Sequence, residues 1–168
     1  PFLDDERHPA FSKLFVSSEF IPEVGGLLFT RRPRRPQDIP PVLLHFVVCG
    51  DGPSMLAGFE TDRRKFVGRN QTLRQPKGCY SDLPGSTGWT LDPVMALQLQ
   101  CELSAHESRE VAFVTIAAAS REAAVEIAER YATLPSLDWA INDAASAIGH
   151  EKHRLGIAPN EVAEIQAL

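Results

Sequence analysis

Up to about residue 118, apolar and polar residues alternate over short stretches broken by Pro, Gly and Asp, and beyond it the apolar positions recur at helical spacing. The clearest alternation is "MALQLQCELS", in which Met95, Leu97, Leu99, Cys101 and Leu103 are interleaved with Ala96, Gln98, Gln100, Glu102 and Ser104. A period of two sends those apolar side chains to one buried face of a strand. "VAFVTIAAA" at 111–119 is apolar on both faces, as a central strand between two packed layers would be. With "SAHES" at 104–108 as the turn between them, the two runs predict an antiparallel hairpin. Four earlier runs also predict strands: "LFVSSEFI" near 14–21, "GLLFT" at 26–30, "VLLHFVV" at 42–48 and "MLAGFETD" at 55–62. The "RRPRRPQDIPP" segment between the second and third must be an exposed loop, since its prolines deny donors to any ladder.

After Ala119 the period changes. Ser120 is a good N-cap, and Ala124, Ile127, Ala128 and Tyr131 share one helical face, with Glu126 and Arg130 forming an i, i+4 pair. A second helix is predicted to begin at Pro135 and Ser136, to carry a stripe of Leu137, Ile141, Ala145 and Ile148, and to end near Gly156. Pro159 opens a third. Strands followed by helices, without alternation, indicate a mainly β fold: an antiparallel β-sandwich over residues 1–119, then a helical segment over 120–168.

At 168 residues and 43% hydrophobic content the chain can bury one sizeable core with a small helical appendage. Its apolar runs are too short to span a bilayer, so no membrane segment is expected. With Pro1 first and no charged-then-apolar leader, the chain reads as part of a longer protein. Cys49, Cys79 and Cys101 lack C-x-x-C spacing and are expected to be reduced packing residues. Of the 17 Lys and Arg, residues 31–77 hold ten, leaving seven elsewhere; of the 22 Asp and Glu they hold four, leaving eighteen. Such a basic region attracts anions or is a solvated loop surface, and composition leaves both open. Nucleic-acid binding is not expected, because the Arg-rich segment lacks interleaved aromatics and the rest is acidic.

Motif tests exclude several chemistries. "HEKH" at 150–153 is one residue short of H-E-x-x-H and reads as a helix end, so no metal site and no cofactor are expected. "LPGSTG" is neither a nucleophile elbow nor a P-loop, and "NQT" at 70–72 is a chance glycosylation match. Asp62, Asp82 and Asp92 stand at strand ends or in loops, where Asp ordinarily caps or turns the backbone, and no catalytic residue is assigned. Candidate ligand contacts centre on "KFVGRNQTLRQP": Phe66 and Val67 as the end of a strand, Gly68 as the turn, and Arg69, Asn70, Gln71 and Arg74 as an exposed polar loop. Tyr80 and Trp89 bracket the next loop. Sugar rings stack on such aromatics while guanidinium and amide groups bind their hydroxyls, although core packing is the simpler reading of Trp89.

Several strings together resemble one family. "HPAFSKLFVSSEFIPEVGGLLFTRRPR", "FETDRRKFVGRNQTLRQP", "GSTGWTLDPVMALQLQCEL" and "VAFVTIAAASREAAVEIAERY", with "LGIAP" near the end, look like the sandwich domain in the phosphorylase-like region of cyclic beta-1,2-glucan synthases. That region is similar to the cellobiose and chitobiose phosphorylases. Ala158, where a Ser cap is expected before Pro159, is a departure. The resemblance implies a super-sandwich of galactose-mutarotase-like type, linker helices, and then an α/α barrel in which an Asp beyond this chain protonates the leaving oxygen during inverting phosphorolysis. It implies a non-catalytic role for this segment, with the barrel of the same polypeptide, beta-1,2-glucan and a second copy in a homodimer as partners. It places the parent at the cytoplasmic side of the bacterial inner membrane, with an autonomous carbohydrate-binding module as the alternative.

Overall fold

A computed structural model describes residues 13–33, 35–50 and 54–157. Among the described residues, seven strands form two antiparallel sheets: β1 (Val16–Ile21), β2 (Gly26–Arg31), β3 (Val42–Cys49), β4 (Ser54–Asp62), β5 (Gly88–Trp89), β6 (Pro93–Cys101) and β7 (Val111–Ala118). The larger sheet runs β5-β1-β2-β3-β7, and β4 pairs with β6 in the smaller one. The helices lying wholly within the described residues are α1 (Arg63–Val67), α2 (Arg121–Arg130) and α3 (Leu134–Arg154). The chain is thus mainly β, an open antiparallel sandwich followed by C-terminal helices.

Alternation in β3 organises the core. Val42, Leu44, Phe46 and Val48 face α2 and pack with Ile21, Leu28, Ile116, Ala124 and Ala128. Two alanines with less than 2% exposure let α2 approach the sheet closely. Its N-terminus is closed by Ser120, whose side chain accepts the Ala123 N–H, and Arg130 pairs with Glu126 at 3.2 Å as the spacing anticipated.

On the opposite face of the large sheet, Leu27 and Phe29 are buried beneath the small sheet, with Phe20 stacked on Phe59 of β4 at 4.5 Å. The cover stops there. Register puts Leu43 and Phe113 on this same face, yet they are 37% and 57% exposed. His45, beside Phe113, donates to or accepts from the Thr115 hydroxyl at 2.9 Å, and partial burial lowers its pKa against a smaller opposing effect of its Val114 backbone hydrogen bond. Among the described residues, the β3–β7 half of this face is therefore only partly covered.

The expected β6–β7 hairpin does not form: β6 pairs with β4 and β7 with β3. The turn at 104–107 exists, with Glu107 N–H donating to Ser104 O, but the connection carries the chain from one sheet to the other. β7 is consequently an edge strand of the large sheet rather than a central one, and Phe113, Thr115 and Ala117 face outward. The five alternating residues do not line one buried face: Met95, Leu97 and Leu99 are half-buried, Cys101 and Leu103 are exposed, and the buried residue of β6 is Ala96, from the interleaved set. Cys79 is exposed too and Cys49 half-buried, so only the last approaches the packing role expected of all three.

α3 starts at a Thr133 cap with a capping box completed by Ser136. Leu137 packs against the core, but Ile141 and Ile148, further along its stripe, are 66% and 54% exposed. His150–His153 form the basic helix end expected of "HEKH". The helix expected from Pro159 lies outside the described residues.

Candidate functional site

Five of the six candidate residues, all but Trp89, sit on one excursion, residues 63–87, which leaves the end of β4 and returns to β5. Its first element is α1, a helix where the sequence suggested a strand end. The change has a local cause: Asp62 accepts the Arg64 N–H at 2.9 Å and so caps a turn that Gly68 terminates. Gly68 has φ +83°, a conformation that side chains resist, and donates its N–H to Arg64 O at 3.0 Å. A 3-10 turn, Lys77–Cys79, then packs on α1. The contact is tight: a Cβ on Gly78 would stand 2.5 Å from the Phe66 ring and 2.9 Å from Leu83.

Both feet of the excursion are held. Arg63 donates its backbone N–H to Asp92 O and its guanidinium to the Asp92 carboxylate at 2.8 Å, while Lys13 donates to the same carboxylate at 2.9 Å. These hydrogen bonds, Lys13 first and Arg63 second, hold the Asp92 carboxyl below its ordinary pKa. At the returning foot, Thr61 donates its hydroxyl to Ser86 O at 2.8 Å, Gly85 donates to Phe59 O, and Lys65 donates to the Ser86 hydroxyl at 2.7 Å.

Arg69, Asn70, Gln71 and Arg74 form the outer tip and are all exposed. Asn70 takes φ 61°, and Gln75 N–H closes the turn onto Thr72 O at 3.1 Å. The excursion carries Arg63, Arg64, Lys65, Arg69, Arg74 and Lys77 against one acid, Asp82. Among the described residues only Arg63 of these six is paired with a carboxylate. Tyr80 belongs to the same excursion, tied through its N–H to Lys77 O, and is 77% exposed. Trp89 does not join it: it lies in β5, opposite Ser17 at the edge of the large sheet, and its 63% exposure overturns the core-packing expectation. A two-residue edge strand offers no second layer to bury an indole.

Asp62 caps α1, Asp92 is held by two cations, and no group of three or more His, Cys, Asp or Glu among the described residues is placed to hold a metal ion. No helix among them is long and apolar enough to cross a membrane. Sequence reasoning missed Glu60. It is fully buried, and its Oε1 accepts the N–H groups of Thr61 at 2.9 Å and Asp62 at 2.7 Å. The available signal was an acid beside Phe59 and Thr61 in a run otherwise reading as strand.

Comparison with known proteins agrees with this architecture. The chain is 30% identical over 166 residues to cyclic beta-(1,2)-glucan synthase NdvB of Rhizobium meliloti (strain 1021), an alignment covering 98% of this chain and 6% of that protein. Residues 1–134 match the family described as the glycosyl hydrolase 94 supersandwich domain, a span that takes in both sheets, the excursion and α2. The chain belongs to the glycosyl hydrolase 94 supersandwich family.

Proposed function

We propose that this chain is a non-catalytic sandwich and linker portion of a bacterial cyclic beta-1,2-glucan synthase, supporting a phosphorylase-like barrel and presenting its 69–74 tip to glucan. The observation that carries this reading is the half-covered large sheet: Leu43 and Phe113 lie bare beside a completed core, as they would in a sandwich that packs against more polypeptide. The stripe of α3 supports it in the same way, since Ile141 and Ile148 continue outward from Leu137 with nothing described to cover them. On this reading residues 1–119 are the sandwich and 120–168 the linker toward the barrel. The parent acts at the cytoplasmic side of the inner membrane, and the bare faces favour a homodimer when the barrel is lacking.

The tip suits a sugar ligand because its guanidinium and amide groups are exposed and have no described partner to surrender. Tyr80 supplies an aromatic face on the same excursion, and Trp89 supplies one further along the sheet edge. The test is incubation of the purified chain with beta-1,2-glucan oligosaccharides and inorganic phosphate. No glucose 1-phosphate is expected. Turnover by pure protein would overturn the non-catalytic assignment.

A further inference from the structure

Glu60 is an ionisable residue with no exposed surface, and its buried Oε2 has no hydrogen-bond partner among the described residues. Burying a carboxylate with an oxygen unsatisfied is costly, so the site must return something for it. What Glu60 does is local and specific. The β4–β6 register slips between Glu60 and Asp62, and at that irregularity the N–H groups of Thr61 and Asp62 both donate to the Glu60 side chain. Two N–H donors converge on one side-chain oxygen, and a buried donor that loses its acceptor is costly. The pinned residues are the ones that set both feet of the excursion. Asp62 caps α1, and Thr61 donates to Ser86 O while accepting from the Ser18 hydroxyl at 2.7 Å.

We propose that Glu60 is a positioning residue for the 69–74 tip: its Oε1 fixes the backbone at the register slip where β4 ends and thereby the direction in which α1 carries the tip, without touching a ligand. The consequence for glucan rests on the function proposed above, whereas the pinning of the backbone does not. The experiment therefore reads both separately in one set of proteins: the whole chain, Glu60→Gln and Glu60→Met.

Gln keeps an oxygen for both N–H groups, and Met fills similar space without an acceptor. Backbone amide exchange should show Thr61, Asp62 and the hydrogen-bonded amides of Arg63, Arg64, Gly68, Cys79 and Tyr80 protected alike in the parent and Gln chains. In Met the same amides should exchange roughly tenfold faster or more, as loss of a buried acceptor implies, while β3 stays protected. Parent-like protection in a folded Met chain overturns the proposal. So does fast exchange of Thr61 and Asp62 in the parent chain, whatever the variants do. Glucan titration is the second readout. If the parent binds, Gln should retain the affinity and Met should lose it; if the parent does not bind, the glucan reading fails while the exchange data still decide the role of Glu60.

Discussion

Gly78→Ala should destabilise the excursion, although the position has no unusual φ and glycine is not required there by backbone conformation. The cause is contact. The added methyl would lie 2.5 and 2.8 Å from two ring carbons of Phe66 and 2.9 Å from a Leu83 methyl. Leu83 can rotate away, but the Phe66 ring belongs to α1, which is anchored by Asp62 and Asp92. Forcing a methyl into such a site costs about 1–3 kcal/mol. In a chain of this size that corresponds to a fall in Tm of roughly 2–12 °C if the excursion unfolds with the rest. If it opens by itself, the loss appears as faster amide exchange at Gly68 and Tyr80, whose N–H groups close α1 and the 3-10 turn, with Tm unchanged. Repeating the substitution with Phe66→Ala removes the clash, so the second cost should fall toward zero. It could even change sign by about 0.4–1 kcal/mol, because alanine restricts the unfolded chain. A Gly78→Ala chain with unchanged Tm and unchanged exchange, or an equal cost in both backgrounds, would refute the reasoning.

Other perturbations test separate parts of the molecule. Leu44→Ala, at a fully buried position between β2, β7 and α2, should cost about 2–5 kcal/mol in urea denaturation. Ser120→Ala removes the cap of α2 and should cost about 0.5–2 kcal/mol by the same assay. Asp92 has a depressed pKa when folded, so its contribution is present above the ordinary carboxylate pKa and is lost as pH falls through the folded value. The stability gap between the parent and Asp92→Asn should accordingly be widest near neutral pH and close in acid. His45 titrates lower when folded, so its contribution is present above the ordinary histidine pKa and declines as pH drops below it. A His45→Gln chain should show a flatter stability profile through that range.

Much of the fold is legible in the sequence because burial writes alternation and helical spacing directly into residue order. β1 to β4 occupy the predicted runs, and Ser120, Ala124 and Ala128 behave as the α2 pattern requires. Pairing is a different matter. Alternation in β6 tells which side chains share a face, but not which strand lies beside it, and a short polar turn after β6 suggested the wrong neighbour. α1 was hidden because five residues, "RRKFV", are too few to express a period, although Asp62 ahead of them is a capping signal. At the candidate site, exposure of the 69–74 tip followed from its composition. The separation of Trp89 from that tip did not, because it depends on β5 pairing with β1 across the sheet edge. Glu60 escaped notice for the same reason: its role arises from a register slip that no local pattern records.

The most direct test of the account is an amide-resolved NMR titration of the 15N-labelled chain with beta-1,2-glucan oligosaccharides to millimolar concentration. Saturable shifts centred on residues 68–76 are expected, and they should vanish in an Arg69→Ala, Arg74→Ala chain of unchanged Tm. An unchanged spectrum, or shifts confined to residues away from the excursion, would contradict it.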